Sequence, residues 1–531
     1  MKNSQGFPRF LYSILSLIGI LGLSLFQSCT PIESPPSKPN IIIVLADDLG
    51  YGDLSCFNPE GKIKTPYLDQ MAAEGMRFTD AHSGSAVCTP TRYGLLTGRY
   101  AWRSKLKSGV LTGKSKALIP EERTTLASLL KRSGYYSAFI GKWHLGWDWA
   151  LKDSTDFGGA GWGAQDFDQL DFTKPVRNVP NDLGFDYAYG HAGSLDMAPY
   201  VYVENGKVTA QPSSITRDTG KYTWWREGPT GADFVHDQVT PNFFRKSMEF
   251  IRKRSTEKDP FLLYLALPSP HTPILPLEEW QGKSELNPYG DFVVMIDDYM
   301  GQLLQTLKTT GIDENTLVIF TSDNGCSPEA DFPLLAKSGH HPSGGFRGHK
   351  ADIYEGGHRV PFIARWPGKV QAESSSDATL CLTDVFATCA QIAEAPVADE
   401  EGEDSYSFWP LLENPNLETW DRTASVHHSI NGSFAIREGD WKLIFCGGSG
   451  GWSYPTPKVV STQDTFPVLQ LYNLATDPGE AHNLQAQNPE KVAALRTLMQ
   501  KIIANGRSTP GEKQLNDVHS GAWWQRDLVL Q

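Results

Sequence analysis

Four apolar runs along the chain each end in polar residues of the types that functional sites use. The runs cover residues 40–45, 136–140, 261–267 and 316–320, and helical patterns lie between them at 65–75, 125–133, 241–254 and 289–309. Continuous apolar runs are typical of strands that helices cover on both faces. Strands and helices that alternate in this way predict an α/β fold with a large, mostly parallel central sheet flanked by helices.

The last part of the chain has a different pattern. Short strand-like runs at 434–436, 441–445 and 469–472 follow one another and precede a helical stretch at 489–504. This order predicts a smaller C-terminal α+β subdomain over residues 421–531, behind a large catalytic domain over residues 39–420. A chain of 531 residues is long enough for both.

The N-terminus carries a separate signal. Basic residues flank an apolar stretch at 10–26, and Cys29 follows shortly after it. This arrangement is typical of an export signal peptide, here residues 1–29, although the stretch also reaches the lower limit of a membrane anchor. The residues before Cys29 resemble a relaxed bacterial lipobox, which predicts a lipid on Cys29 and a Pro/Ser-rich tether at 30–38. We therefore expect an exported lipoprotein, in the periplasm or on the outer cell surface.

The net charge and the cysteine spacing argue against nucleic-acid binding and against a structural metal site. The net charge is −13, whereas a nucleic-acid binder would present a basic face, so no nucleic-acid partner is expected. The six cysteines after residue 29 form no CxxC pair and show no zinc-like spacing, which argues against a structural metal site. The chemistry must therefore come from local clusters of residues.

The polar residues at two strand ends form a candidate metal site. Asp47 and Asp48 follow the first apolar run, and Asp323 and Asn324 follow the last one. Ligands bind beyond the carboxyl ends of strands in open α/β sheets, so these side chains are expected close together. Each pair alone is also a good turn sequence. Together they offer hard oxygen ligands for Ca²⁺ or Mg²⁺, and two adjacent buried carboxylates without a cation would be costly.

Lysine and histidine residues complete the candidate site. Lys142 and His144 follow the second run, two positions apart, and are expected to point the same way. His271 follows the third run inside a proline-framed loop. Lys350 precedes Gly356 and Gly357, which suggest close backbone approach to a ligand or a flexible surface loop. Singly, each of these residues is also compatible with a surface or packing role.

The most informative motif is Cys88-Thr89-Pro90-Thr91-Arg92. It resembles the Cys-x-Pro-Ser/Thr/Ala-Arg signature of the formylglycine-dependent sulfatases. Further segments match landmarks of that family in the family's order: 40–53, 85–99, 141–146, 268–273, 321–325, 347–361, 436–443, 471–474 and 477–480. From residue 39 to its end, the chain thus resembles a type I sulfatase of the alkaline phosphatase superfamily, which implies the alkaline phosphatase-like fold.

The resemblance also implies an activity and a modified residue. In the family a maturase, either oxygen-dependent or radical, oxidises the motif cysteine to formylglycine, and the hydrated aldehyde attacks a sulfate ester. This implies that Cys88 becomes the nucleophile and that the maturase is a partner. It further implies a Ca²⁺ ion, with Mg²⁺ as second choice, whose ligands are Asp47, Asp48, Asp323, Asn324 and an oxygen of modified Cys88.

The remaining site residues receive roles from the same resemblance. Arg92 would steady the formylglycine, and Lys142 and Lys350 would contact sulfate oxygens. His144 would assist the modified residue, and His271 would lie near the leaving oxygen. Hydrated formylglycine has a second hydroxyl, which allows sulfate to be expelled and the aldehyde regenerated, a route that a serine nucleophile lacks.

Three interpretations of the function follow from these observations. The first is a sulfuric ester hydrolase acting on a sulfated carbohydrate, favoured over an aryl sulfate because the chain carries an export signal. The second is a phosphodiester or phosphonate monoester hydrolase on the same fold, and the third is a glycan-binding lipoprotein without activity. Residues 147–225 form an insert with Trp162, Trp224 and Trp225, whose aromatic faces could stack on sugars or serve packing.

Overall fold

The computed structural model describes residues 38–153, 166–417, 420–463, 465–517 and 523–531. The strands β1–β18 are, in chain order, Asn40–Asp47, Met76–Phe78, Ala81–His82, Tyr136–Lys142, Tyr187–His191, Val203–Glu204, Lys207–Val208, Pro212–Asp218, Trp225–Gly231, Phe261–Pro270, Thr316–Ser322, Phe362–Arg365, Ser374–Ser376, Leu380–Cys381, Ser425–His428, Phe434–Glu438, Trp441–Ile444 and Gln470–Asn473. The helices α1–α12 are Pro66–Ala73, Cys88–Thr97, Leu126–Lys131, Val239–Arg254, Pro288–Thr310, Phe332–Lys337, Glu355–His358, Asp384–Ile392, Trp409–Glu413, Pro457–Val460, Pro489–Asn505 and Trp524–Leu530.

A ten-stranded sheet forms the centre of the fold. Its strand order is β13-β2-β12-β11-β1-β10-β4-β5-β6-β7. The five middle strands β11, β1, β10, β4 and β5 run parallel, and the antiparallel pairs lie toward the two edges. Residues 41–46 of β1 are fully buried, as expected for a strand covered on both faces. The prediction of an α/β fold with a mostly parallel sheet is therefore confirmed.

The register of the middle strands brings their polar ends to one edge of the sheet. Ala46 of β1 pairs with Ser322 of β11, and Asp47 pairs with Pro270 of β10. In β4, Gly141 precedes the strand's last residue, Lys142; it has φ 134°, and a Cβ there would lie 1.9 Å from the carbonyl oxygen of Ala266. Only glycine allows this approach, so the residue before Lys142 fits tightly against β10.

A four-stranded antiparallel sheet, β15-β16-β17-β18, lies in the C-terminal part of the chain, as the sequence predicted. Helix α11 packs on it through Leu495 and Met499, in a cluster that also contains Trp102 from the preceding part of the chain. The first strand of this small sheet meets the segment before Cys88, since the amide of Ala86 donates to the carbonyl of His428 at 2.9 Å. Lys38–Gln531 form one compact unit, and the boundary at residue 421 stays a prediction.

Some sequence predictions lie outside the described residues. These are the signal peptide at 1–29, its lipid site Cys29, all but the last residue of the tether at 30–38, and Trp162 in the insert. Within the described part of the chain, the helices are all too short or too polar to cross a membrane. The same part contains six cysteines, and all six are free thiols.

Candidate active site

Cys88 begins helix α2 and is buried at the carboxyl edge of the central sheet. The Thr91 hydroxyl donates to the carbonyls of Ser85 and Val87, which ties the first helical turn to the incoming loop. The ligand atoms of Asp47, Cys88 and Asp323 all lie within 4.8 Å of one another. Burial raises the pKa of the Cys88 thiol to about 11, so the unmodified side chain is a neutral thiol and a poor nucleophile at pH 7.

The four predicted metal ligands lie together, with Asp47 and Asp323 next to this cysteine. Asp48 takes the left-handed conformation with φ 66°, and its Oδ1 accepts a hydrogen bond from Asn324 Nδ2 at 2.7 Å. Within the described part of the chain, Asp47 Oδ1 and Asn324 Oδ1 are buried and have no hydrogen-bond donor. A buried oxygen that accepts no hydrogen bond lowers the stability of the folded state, and a bound cation would remove this penalty. The donor set therefore fits a hard divalent cation.

The charges around this cluster are unevenly balanced. Burial raises the pKa of Asp47, but Lys142, His271 and Arg92 outweigh it and hold that pKa well below the usual carboxyl range. Burial, together with the neighbouring Asp47, raises the pKa of Asp323 to about 7. One carboxylate is thus held charged while its neighbour resists ionisation, as expected for like charges sharing a dry site.

Arg92 is held by a carboxylate and a backbone carbonyl of the site, and its predicted role of steadying the formylglycine stays a prediction. Its guanidinium donates to Asp323 Oδ2 through Nε at 3.0 Å and Nη2 at 2.8 Å, and Nη1 donates to the Lys142 carbonyl at 2.8 Å. Arg92 is fully buried. The planar fork of arginine suits these simultaneous contacts, so Arg92 orients the aspartate and the end of β4.

The two predicted lysines come from different segments of the chain, and each contacts one aspartate of the candidate metal site. Lys142 Nζ donates to Asp47 Oδ2 at 2.5 Å, and Lys350 Nζ donates to Asp48 Oδ2 at 2.7 Å. Burial favours the neutral amine of Lys350, but Asp48 outweighs it and raises the pKa, so the ammonium persists. Gly356 and Gly357 pack against the chain's own backbone: an added Cβ would lie 2.3 Å from Gly348 O at Gly356 and 2.1 Å from Asp352 O at Gly357. Their approach to a ligand stays a prediction.

His144 leaves the strand with φ 53°, so it does not follow the alternation expected for Lys142 and His144 on one strand. Its Nε2 lies 2.7 Å from the carbonyl oxygen of Leu111, which assigns the proton to Nε2. Nδ1 is buried and has no partner in the described residues. Burial and Lys142 lower the pKa of His144 well below its ordinary value, so the imidazole is neutral with a free Nδ1 lone pair.

His271 and a serine that the sequence analysis missed complete the site. His271 Nδ1 lies 2.5 Å from the carbonyl oxygen of Thr272, which leaves Nε2 facing Asp48 Oδ2 at 3.7 Å. Ser194 Oγ accepts from Lys142 Nζ at 3.0 Å and lies 3.4 Å from His271 Nε2. Ser194 lies just beyond β5, whose apolar pattern was too short to stand out in the sequence.

The tryptophans of the insert have mixed surroundings. Trp225 stacks on His236 with ring centroids 3.9 Å apart, which is a packing contact. Trp224 Nε1 donates to Glu329 Oε2 at 3.2 Å, and the guanidinium of Arg226 lies over its ring. At least one face of Trp225 is therefore used in packing.

The geometry as a whole suits attack on an anionic ester. A buried nucleophile position lies beside oxygen ligands for a cation, two lysine ammonium groups, a neutral histidine with a free lone pair and a second histidine. Positive groups of this kind stabilise the charge that develops on the oxygens of a sulfate or phosphate ester.

Comparison with known proteins distinguishes a sulfate ester from a phosphate ester as the substrate class. Residues 39–395 match the family model Sulfatase. The chain is 32% identical over 504 residues to the N-acetylgalactosamine-6-O-sulfatase of Bacteroides thetaiotaomicron, covering 88% of this chain and 93% of that protein. It is 31% identical over 474 residues to human arylsulfatase A, covering 87% of each.

Solved structures agree with these matches. A sulfatase from Bacteroides thetaiotaomicron, solved in work on the metabolism of multiple glycosaminoglycans, superposes with a TM-score of 0.75. It is 31% identical in sequence, and the match covers 88% of this chain and 99% of that one. The chain therefore belongs to the sulfatase family and is a sulfuric ester hydrolase with the alkaline phosphatase-like fold.

Proposed function

We propose that this enzyme releases inorganic sulfate from a sulfated carbohydrate, with formylglycine made from Cys88 as nucleophile and Ca²⁺ as metal. The observation that carries the proposal is the convergence of Asp47, Cys88 and Asp323 within 4.8 Å, beside two buried oxygens that have no donor in the described chain. The hydrated aldehyde supplies a hydroxyl that attacks sulfur and a second one that allows the aldehyde to be regenerated.

The side chains of the site divide the work of binding and proton transfer. Lys142 and Lys350 hold the sulfate oxygens through their ammonium groups, and the pKa of Lys350 is raised by its partner Asp48. Asp47, Asp48, Asp323 and Asn324 would hold the Ca²⁺ ion, which adds positive charge on the same side. The nucleophile position faces the two ammonium groups and the cation site. The negative charge that develops on the sulfate oxygens in the transition state would therefore be stabilised by nearby positive charge.

The two histidines suit opposite directions of proton transfer. His144 is neutral and has its lone pair on Nδ1, so it accepts a proton from a hydroxyl at position 88. His271 Nε2 faces Asp48, and because Nδ1–H is held by the Thr272 carbonyl, the ring donates to the leaving sugar oxygen from its doubly protonated form, giving up the Nε2 proton and becoming neutral. Ser194 contacts both Lys142 and His271 and keeps the second histidine in place.

The relatives support a carbohydrate substrate with a 6-sulfate on N-acetylgalactosamine. The bacterial relative with 32% identity bears that name, and so do mammalian relatives at 28–29% identity, such as the rat protein with 29%. Human arylsulfatase A is similarly distant, so an aryl sulfate is the competing substrate class. The bacterial match spans nearly the full length of its relative, which favours the sugar sulfate.

The test is sulfate release by protein produced with a maturase, measured by ion chromatography. The panel contains N-acetylgalactosamine 6-sulfate, the 4-sulfate isomer, an aryl sulfate and a phosphodiester, with Cys88→Ala as the control. Preferred turnover of the 6-sulfate supports the proposal, and turnover of the aryl ester or phosphodiester alone would refute it. Activity should vanish with a chelator and return with Ca²⁺ better than with Mg²⁺, and a Cys88 peptide of unaltered mass in active enzyme would refute formylglycine.

We further propose that the enzyme is exported and carries a lipid on Cys29. The support is the basic start, the apolar stretch at 10–26 and the lipobox-like residues before the cysteine. Metabolic labelling with a radioactive fatty acid should mark the wild-type protein and leave Cys29→Ala unmarked. Equal labelling of both proteins, or of neither, would refute the lipid anchor.

A further inference from the structure

A buried carboxylate joins the segment that carries Lys350 to an exposed loop of the C-terminal part. Asp352 is fully buried, and its Oδ2 accepts from the amide of His349 at 3.0 Å. Its Oδ1 accepts from the amides of Trp452 and Ser453 at 2.8 and 3.0 Å. One side chain thus holds His349 and Trp452 in fixed positions relative to each other, although they are about a hundred residues apart in the chain.

His349 presents one free ring nitrogen next to the catalytic lysine. Its Nδ1 lies 2.9 Å from the carbonyl oxygen of Lys350, which assigns the proton to Nδ1 and leaves a lone pair on Nε2. The ring edge packs against Phe332 with centroids 5.5 Å apart, and the side chain remains 15% exposed. A fixed, partly exposed acceptor of this kind suits a sugar hydroxyl.

Trp452 adds an exposed aromatic surface to the same place. It exposes 47% of its surface although Asp352 anchors its backbone amide. The preceding Gly451 packs so closely on the Lys350 segment that a Cβ would lie 2.4 Å from the carbonyl of Ala351. Asp352 lies two positions after Lys350, at most about 7 Å along the chain, so the backbone of Trp452 that it binds lies near the segment of the sulfate-binding lysine.

We propose that His349 and Trp452 form a subsite for the sugar unit next to the sulfated one, with Asp352 as its positioning residue. The aromatic face stacks on the ring of that unit, and His349 Nε2 accepts a hydrogen bond from one of its hydroxyls. The inference rests on the proposed carbohydrate substrate. It predicts that the enzyme prefers oligosaccharides to monosaccharides.

Binding is measured apart from catalysis, by calorimetry in the Cys88→Ala background. The ligands are N-acetylgalactosamine 6-sulfate alone and a trisaccharide that carries the same sulfated sugar at one end. Trp452→Ala should weaken trisaccharide binding about tenfold and leave monosaccharide binding unchanged, because the loss is one aromatic contact. Trp524→Ala is the matched control, since Trp524 is 46% exposed but lies in helix α12.

The role of His349 is tested with two substitutions, one of which is conservative. His349→Ala should weaken trisaccharide binding several-fold, and His349→Gln, which keeps an acceptor, should restore most of it. The inference is overturned if the Cys88→Ala protein without a further change binds both ligands equally, or if Trp452→Ala and Trp524→Ala behave alike in that background. A different result would be trisaccharide binding that depends on Trp452, combined with no sulfate release by the enzyme that keeps Cys88 and is produced with a maturase. That result would support the subsite and refute the proposed reaction.

Discussion

Ser194 offers a sharp test of the active site because its hydroxyl contacts two of the residues that act on the substrate. The hydroxyl accepts from Lys142 Nζ at 3.0 Å and lies 3.4 Å from His271 Nε2, and the residue is buried. Ser194→Ala removes both contacts and changes the volume of the site little. The lysine ammonium then loses one partner, and the histidine ring loses a polar neighbour.

The size of the effect follows from the charge on the lysine. A hydrogen bond to a charged group contributes about 1.5–3 kcal/mol, which corresponds to a loss of about 10- to 150-fold in kcat/KM. Ser194→Thr keeps the hydroxyl and should retain more activity than Ser194→Ala.

The assay is initial-rate sulfate release over a range of substrate concentrations, with thermal unfolding measured alongside. Ser247→Ala is the matched control, because Ser247 is fully buried and its hydroxyl has no partner among the described residues. The reasoning is refuted if Ser194→Ala stays within about threefold of wild type, or if Ser247→Ala loses as much activity.

Three further changes test the metal site, the acid stability and the packing of the C-terminal part. Asp323→Asn removes one charged ligand, so Ca²⁺ affinity, followed by titration with a metal indicator, should fall at least about tenfold; unchanged affinity would count against the site. Burial lowers the pKa of His428 to about 4, so the folded state binds fewer protons than the unfolded state below pH 6.5. This histidine should therefore lower the unfolding free energy by up to ~3 kcal/mol as the pH drops from 6.5 toward 4, measured by urea unfolding. His428→Gln should remove that part of the pH dependence, and the exposed His482→Gln should leave it in place. Arg103 donates to both carboxylate oxygens of Asp404 at 2.7 and 2.8 Å, so Arg103→Ala should lower the unfolding free energy by about 3–5 kcal/mol, and a loss below 1 kcal/mol would contradict this.

Much of the site could be located from the sequence because its residues follow apolar runs. A buried parallel strand has to be apolar along its length, and its carboxyl end meets the ends of its neighbours at one edge of the sheet. Asp47, Lys142, His271 and Asp323 are all marked in this way, and the structure brings them together around Cys88. The predicted helices and the small C-terminal sheet follow from equally local patterns.

Other features depend on contacts that no local pattern records. Ser194 follows a short strand with no distinctive pattern, and its role arises only because β5 pairs with β4 beside Lys142. The tautomer of His144 is set by the carbonyl of Leu111, and the paired hydrogen bonds from Arg92 to Asp323 join segments that are far apart in the chain.

The apolar pattern, the strand ends and the cysteine motif thus specified the fold class and the kind of chemistry. Periodicity and burial act over a few residues, so they can be read along the chain. Which polar atoms share hydrogen bonds is decided by packing between distant segments, as when Asp352 joins His349 to Trp452. Such contacts depend on positions to within an ångström, and only the folded chain sets those positions.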